Sequence, residues 1–182
     1  MLTATYALLT LSAEQEKTIS ICSTLQQYFQ SASANPQGID PDSLEPVLNQ
    51  LAQFDESCHR RKVELYVIPA LRRATRDGDS LLAELESLSS LGVSILSAIR
   101  ERFAQAFAQG IVQIKELCSS MERYCLSLLQ RLAKEKAELM PLAQRVITSE
   151  EWFAIGAKFL SLDAENYECK KFAQVVRRLR RR

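Results

Sequence analysis

Residues 59–69 read HRRKVELYVIP and residues 131–141 read RLAKEKAELMP, and these two stretches share one frame. Each begins with a polar side chain and has a second marked position four residues later: His59 and Val63 in the first stretch, Arg131 and Glu135 in the second. Six residues after this second position comes a proline, and the two residues directly before the proline are apolar. Because residues four apart share one helix face, the frame predicts two helices with matching inner faces. No other repeat is visible in the chain.

The composition is that of a globular protein built from long helices. The 182 residues suffice for one domain with a sizeable core, and 47% hydrophobic with 25% charged residues is typical of soluble proteins. Only five glycines and five prolines occur, which favours long helices with few turns. No apolar run reaches the roughly 18–20 residues that cross a membrane, so no membrane span is predicted.

The cysteines and the N-terminus indicate a cytoplasmic protein. The five cysteines are odd in number, widely spaced and form no CxxC pair, which is typical of reduced thiols. The first residues, Met1 to Tyr6, contain no basic segment, so a signal peptide is not expected.

Hydrophobic periodicity predicts four long helices. The first begins at the capping-box pattern of residues 12–15 and runs to about residue 31. The second begins at Asp42 or Ser43 and meets Pro69, which should kink or interrupt it. Residues 77–79 break the chain before a third helix of roughly 30 residues that ends near Gly110, with Gly92 marking a close helix crossing. The fourth runs from about residue 111 or 115 to Leu139.

A second capping-box pattern, Thr148–Glu151, predicts a short helix with Trp152 and Phe159, and Asp163 is expected to cap a last, basic helix. Together these elements predict an all-α, up-down-up-down four-helix bundle over residues 1–160, followed by a basic amphipathic segment over residues 161–182.

The paired frames make the chain resemble the hemerythrin-like (HHE cation-binding) domain family. In that family the frame reads His, three residues, Glu-Glu, two residues and Leu-Phe-Pro. The resemblance extends over roughly residues 9–159 and includes the segment around Trp152. It implies a four-helix bundle with a di-iron site, and roles in oxygen or nitric-oxide sensing, iron sensing, or repair of iron–sulfur centres.

The resemblance implies six ligand positions, and only two hold a ligand type here. His59 and Glu135 match, so they are the residues of a remnant metal site. The other four positions are substituted. Gln15, after Glu14, stands where the first helix should give a His, and Leu85, after Glu84, stands where the third helix should give one. Val63 replaces a Glu and Arg131 replaces a His. A third ligand from Gln15 or Glu64 would be a poor one.

Arg131 argues most strongly against a metal, since a guanidinium at the site repels a cation. We expect Arg131 to form a buried pair with Glu135, with His59 nearby, in place of the metal. Two alternatives stay open from the sequence: weak binding of iron or zinc, and a different small ligand in the same cavity. No cofactor is therefore expected, with iron, as a di-iron or mononuclear centre, as the alternative.

The C-terminal segment carries the chain's charge asymmetry. The range 168–182 includes seven basic side chains and one acidic side chain, a net of +6, whereas the whole chain has a net charge of +1, so the range 1–167 carries a net of −5. One expectation is an amphipathic helix packed on the bundle. The other is contact with an anionic surface through Arg177, Arg178, Arg180 and Arg181, for which a membrane fits better than nucleic acid because no aromatic stacking platform or base-reading motif is present.

The functional expectation is a non-enzymatic binding or regulatory module. No phosphate-binding glycine loop, nucleophile elbow or Ser–His–Asp context is present. An unidentified protein partner is expected, and a homo-oligomer is a further candidate. The alternative function is an iron-binding sensor, or an oxygen- or nitric-oxide-responsive hemerythrin-like protein.

Overall fold

The computed structural model describes residues 2–34, 46–47, 51, 62–108 and 114–165. All regular structure in these ranges is helical, which confirms the all-α class for the described part of the chain. The α-helices are α1 (Leu2–Ala34), α2 (Ile68–Ala74), α3 (Asp79–Ala108), α4 (Ile114–Lys134), α5 (Met140–Val146) and α6 (Ser149–Glu165). A first π turn (Val63–Val67) precedes α2, and a second π turn (Glu135–Leu139) joins α4 to α5.

The two matched stretches have the same backbone. In each, a π turn of five residues is followed by a seven-residue α-helix with proline in its first turn. The amide of Ile68 donates to the carbonyl of Val63, and the amide of Met140 donates to that of Glu135, so each bond spans five residues rather than four. Every element boundary in the second stretch is offset from its counterpart in the first by the same number of positions.

The prolines explain why both stretches widen at the same place. A proline has no amide hydrogen, and in a regular helix its ring clashes with the carbonyl four residues earlier. A turn with five-residue spacing moves that carbonyl away and lets the chain stay helical. The interruption expected at Pro69 therefore takes the form of a π turn, and the helix expected to end at Leu139 continues through Pro141 to Val146.

Two predicted helix starts have opposite outcomes. Residues 12–15 do not open the first helix, because α1 begins at Leu2 and its N-terminal part buries Ala7 and Leu11. The prediction of a helix start at Ser12 was wrong. At Thr148 the capping box is confirmed: the Thr148 amide donates to Glu151 Oε2 at 3.4 Å, and the Glu151 amide donates to Thr148 Oγ1 at 3.2 Å.

The remaining helix predictions divide between the described residues and the rest. The predicted third helix is confirmed as α3. A Cβ added at Gly92 would make an ordinary contact of 3.7 Å with Tyr124 Cε2 on α4, so the close crossing expected at this glycine stays a prediction. Asp163 lies inside α6 rather than at a helix start, so its predicted capping role was wrong. The predicted second helix lies mostly outside the described residues, although Pro46, Val47 and Leu51 are helical. The segment from residue 166 to residue 182 also lies outside them.

The helices pack so that α1 contacts α4 and α6, and α3 contacts α4. Their buried apolar side chains form two clusters. The first apolar cluster includes Ile21, Leu25, Phe29, Leu96, Ile99, Phe103, Cys118, Met121, Tyr124 and Cys125. The second apolar cluster includes Ala7, Leu11, Val63, Leu71, Leu82, Leu85, Leu139, Trp152 and Phe159. Each of the three long helices α1, α3 and α4 contributes to the first cluster, and α1 and α3 also reach the second.

One helix has a membrane-like composition that the sequence analysis did not identify. Residues 79–105 of α3 are long enough to cross a membrane, and an 18-residue window within them reaches a mean hydropathy of 1.4, with 22% of that window buried. This criterion rests on length and composition, and apolar helices of soluble proteins also meet it. Serines separate the apolar positions of α3, so the sequence contains no long uninterrupted apolar run at this helix.

Candidate functional site

A layer of buried polar side chains lies between the two apolar clusters. We call it the polar layer; its buried members are Gln15, Thr18, Lys62, Ser127, Arg131 and Glu135. On α1, two of them fall between Leu11 of the second cluster and Ile21 of the first. On α4 and the second π turn, three fall between Cys125 and Leu139. The polar layer is therefore the part of the described interior where charge and hydrogen bonding replace apolar packing.

Arg131 is the central cation of this layer. Its side chain is 3% exposed, and its Nε lies 2.9 Å from Oε1 of Glu135, which is 1% exposed. One terminal nitrogen of the guanidinium (NH1) donates to Ser89 Oγ at 2.5 Å and lies 3.2 Å from Oε1 of Glu64. Ser89 in turn donates to Glu64 Oε1 at 2.7 Å. One guanidinium thus joins α4, the second π turn, α3 and the first π turn.

The contact between Arg131 and Glu135 is electrostatic in character. The two atoms are close enough for an ion pair, but the Nε–H is not aligned with the carboxylate oxygen as a linear hydrogen bond requires. Burying a carboxylate costs several kcal/mol unless a charge and hydrogen bonds compensate it. Arg131, one helical turn earlier, supplies a compensating charge to Glu135.

Gln15 ties α1 to this site through its side-chain amide. Its Nε2 donates to the backbone carbonyl of Leu132 at 3.1 Å, and the bond is buried. Leu132 lies in the last turn of α4, where the hydrogen-bond spacing changes from four to five residues. Carbonyls near such a change lose regular partners, so a side-chain donor is well placed there.

Two lysines precede the two π turns at equivalent positions. Lys62 is 2% exposed; its Nζ lies 2.6 Å from Glu14 Oε1 and 5.2 Å from the centre of the Phe159 ring. Lys134 is its counterpart in the second stretch. It pairs with Glu84 and lies 3.1 Å from Glu138 Oε1, and these carboxylates raise its pKa. The similarity between the two halves therefore extends beyond the matched stretches to an ion pair with the preceding long helix.

The structure buries every described position at which the family resemblance places a ligand. These positions are Gln15, Val63, Leu85, Arg131 and Glu135, each 4% exposed or less. Arg131 and Glu135 form the expected pair, and Gln15 is joined to the backbone next to Arg131. Val63 and Leu85 lie in the second apolar cluster. His59 lies outside the described residues, as do Arg177, Arg178, Arg180 and Arg181.

The described donor set does not fit a di-iron centre. Iron in a helix bundle takes imidazole nitrogens and bridging carboxylates, whereas Val63 and Leu85 offer no donor atom and Arg131 brings a fixed positive charge. The carboxylate of Glu135 already compensates that charge. Within the described ranges there is no group of three or more His, Cys, Asp or Glu side chains that would hold a metal ion.

Sequence reasoning missed three contributors to the layer. Glu64 was considered only as a poor metal ligand, yet it is the second carboxylate on Arg131. Ser89 lies on α3 without any motif around it, and only the packed helices bring it to the guanidinium. For Lys62 a signal was available, since Lys134 occupies the same place in the second stretch.

The described cysteines are buried thiols. Cys22, Cys118 and Cys125 are buried and carry thiols rather than disulfides. Burial raises the pKa of Cys118 to about 11, and burial together with the charge of Glu122 raises the pKa of Cys125 to about 12. A thiol reacts as its thiolate, so a raised pKa disfavours reaction at Cys118 and Cys125, and both fit a packing role. Cys58 and Cys169 lie outside the described residues.

Comparison with known protein families, with curated proteins and with solved structures finds no match for this chain.

Proposed function

We propose that this protein is a hemerythrin-like bundle of up-down-up-down topology in which an internal ion-pair layer has replaced the di-iron site. It acts as a non-enzymatic binding or regulatory module, and the partner that it binds is another protein. The metal's structural role, joining helices at the bundle centre, falls to the side chain of Arg131.

The observation that carries this proposal is the position of Arg131. Its guanidinium is buried at a family ligand position and is compensated by Glu135 and Glu64. A fixed positive charge a few ångströms from a metal ion costs several kcal/mol even at the moderate effective dielectric of a protein interior. A bundle with this charge at its centre disfavours the binding of a metal cation there.

The arrangement of the other positions supports the family register. Five described ligand positions, spread over α1, α3, α4 and the two π turns, are all buried. The glutamates that precede two of them, Glu14 and Glu84, each pair with the lysine before a π turn. A wrong register would rotate some of these positions to the solvent face, because one residue turns a helix by about 100°.

Metal content per chain tests the proposal directly. The protein is purified from iron-supplemented cells without chelators or a metal-binding tag, and metals are measured by atomic emission. We expect well under one metal ion per chain. About two irons per chain would overturn the proposal in favour of an iron-dependent sensor, and about one iron or zinc would assign a remnant site to His59 and Glu135.

Restoring the ligands tests the family register separately. The variant Gln15→His/Val63→Glu/Leu85→His/Arg131→His fills all four substituted positions while His59 and Glu135 stay. If the register is correct, this variant binds close to two irons per chain and becomes coloured. Arg131→Leu is the matched control, since it removes the guanidinium without adding ligands and should stay colourless. A folded, colourless four-fold variant would contradict the register.

A further inference from the structure

Helix α6 is appended to the bundle after the two matched stretches have ended. It packs along α1 and buries Trp152, Ile155 and Phe159, which are spaced i, i+3 and i+7 on one face. Two residues, Ile147 and Thr148, connect it to α5, and the backbone is extended at the first of them. The helix therefore holds the bundle by one apolar face and has a short connection about which it can turn.

The ion pairs that precede the π turns form with or without a covering helix. Lys134 and Glu84 make the same pair as Lys62 and Glu14, although the side chains of Lys134 and Glu84 are 24% and 56% exposed. The ring of Phe159 lies over the ammonium group of Lys62 and leaves that side chain 2% exposed. Departure of α6 would give the Lys62 pair the hydrated surroundings that the Lys134 pair already has.

The region where α6 meets the bundle contains buried polar atoms without partners. Within the described residues, Nε1 of Trp152 and Oε2 of Glu14 are buried and form no hydrogen bond. Such atoms destabilise a packed arrangement, because they have given up their bonds to water. The charged contact between Arg73 and Glu151 is long, at 3.8 Å, and partly exposed. The docked position of α6 therefore depends on apolar burial and is opposed by unpaired polar groups.

Residues 12–15 contain a capping box that the docked arrangement does not use. The helix α1 runs through it from Leu2, and Ser12 is exposed in mid-helix. Ala7 and Leu11, before the capping box, pack with the buried face of α6 in the second apolar cluster. Without α6 they lose that apolar cover, and Ser12 becomes a favourable N-terminus for α1. The sequence thus contains a second start for α1 that suits a bundle from which α6 has departed.

We propose that α6 is a reversible lid whose opening moves the start of α1 from Leu2 to Ser12. In the closed state α6 lies on α1 and covers Lys62. In the open state α6 has left α1, residues 2–11 are no longer helical, and the Lys62 side chain is exposed to solvent. The contacts of Arg131 do not involve α6, so they are the same in both states.

The fluorescence of Trp152 tests whether the lid opens separately from the bundle. Trp152 is the only tryptophan of the chain, and it lies on the buried face of α6. Its emission therefore reports the position of α6, whereas far-ultraviolet circular dichroism reports mainly the long helices α1, α3 and α4. In urea, we expect the emission to shift to the red at a lower concentration than the loss of circular dichroism. Coincident transitions would overturn the proposal, because α6 would then unfold only with the bundle.

Hydrogen exchange followed by mass spectrometry measures the opening in the absence of denaturant. The exchange rate of a protected amide follows the population of the state in which that amide is open. We expect the amides of α6 and of residues 2–11 to exchange at least about tenfold faster than those in the middle of α4. Equal protection of α6 and α4 would contradict a lid.

Two substitutions on opposite faces of α6 test whether the start of α1 is coupled to the lid. Phe159→Ser removes a buried anchor and should raise the exchange of α6 and of residues 2–11 together, by at least about tenfold. Phe153→Ser makes the same change on the exposed face and should leave both rates unchanged. Faster exchange of α6 alone in Phe159→Ser would overturn the coupling that we propose. Circular dichroism verifies that the bundle is folded in both variants.

Ser12→Ala tests the second helix start by an effect of opposite sign. Ser12 is exposed inside α1 in the closed state, so the substitution does not weaken the closed lid. It removes the cap of the open state, and we expect about fivefold slower exchange of α6 and of residues 2–11. Ser20→Ala is the matched control, because Ser20 is exposed on α1 and lies within the helix in both states. Equal rates in Ser12→Ala and the control would overturn the proposal. None of these rates depends on metal content, so failure here is distinguishable from failure of the proposed function.

Discussion

The two matched stretches have the same backbone but opposite interiors. Residues 63–74 and 135–146 each form a π turn and a short α-helix of identical length. The first stretch begins with Val63 in the second apolar cluster, whereas the second begins with Glu135, a buried carboxylate paired with Arg131. The proline and the apolar residues before it determine the backbone in both. The chemistry at the first position is free to differ, because neither side chain takes part in forming the turn.

The lysines that precede the two π turns differ in their burial, and α6 causes the difference. Lys62 is 2% exposed because Phe159 of α6 lies over its ammonium group. Lys134 is 24% exposed and pairs with two partly exposed carboxylates. Equivalent ion pairs thus have different surroundings, since α6 is appended after the second stretch and packs along α1.

Removing the guanidinium beside Glu135 should change the stability of the protein the most. Arg131→Met leaves a buried carboxylate without this cation, and we expect a loss of about 3–5 kcal/mol in the free energy of unfolding, measured by urea denaturation. The double variant Arg131→Met/Glu135→Met makes the first position of the second π turn apolar, as Val63 is in the first, and should recover most of that loss. A single variant as stable as the wild type would show that Glu135 does not need Arg131.

The lysines that precede the two π turns should differ in how much each contributes to stability. Lys62→Met removes a buried cation and leaves one oxygen of Glu14 buried, so we expect a loss of about 2 kcal/mol in the same denaturation experiment. Lys134→Met should cost clearly less, because solvent screens a surface ion pair. Equal losses in the two variants would mean that α6 does not distinguish the two halves.

The prolines test whether the shared backbone has a shared cause. Pro69→Ala and Pro141→Ala each increase the conformational freedom of the unfolded chain, and we expect each to lower stability by about 0.5–1 kcal/mol in urea denaturation. The two losses should be equal within the error of that measurement, since the local structure is the same in both stretches. A large loss at only one site would show that the proline ring there makes stabilising contacts that its counterpart in the other stretch lacks.

The sequence predicted those features of the site that depend on local spacing. Arg131 and Glu135 lie four residues apart on one helix face, and the family resemblance placed both at buried ligand positions, so their pairing was predicted. The proline frame predicted two equivalent segments and the place of their interruption. Ser89 and Glu64 were not assigned to the site, because they are far from Arg131 along the chain and reach it only through helix packing. A π turn also adds a residue to one turn, so helical periodicity does not carry through it.

The start of α1 was likewise not predictable from the local sequence pattern. A capping pattern at Ser12 satisfies the local rule for a helix start, yet the helix runs through it. Ala7 and Leu11 pack with Trp152, Ile155 and Phe159 of α6 in the second apolar cluster. Burial against a distant helix outweighs a cap, whose contribution is about 1 kcal/mol. The contact between α1 and α6 was not predictable from either segment alone.

The smallest expected effect is the pH dependence of the Lys134 pair. The carboxylates of Glu84 and Glu138 raise the pKa of Lys134 in the folded protein above its unfolded value. Its contribution to stability is therefore fully present below the unfolded pKa of about 10.4 and is lost as the pH rises through the higher folded value. The stability difference between wild type and Lys134→Met should stay constant from about pH 6 to about pH 9 and shrink above about pH 10.5.

Measuring this difference, rather than the wild type alone, cancels the alkaline titration of the buried thiols of Cys118 and Cys125, which both proteins share. A difference that instead shrinks on acidification from about pH 9 to about pH 7 would mean that the lysine titrates below its unfolded pKa. Lys134 would then be the more desolvated member of the lysine pair, and the contrast that α6 creates between the two halves would be reversed.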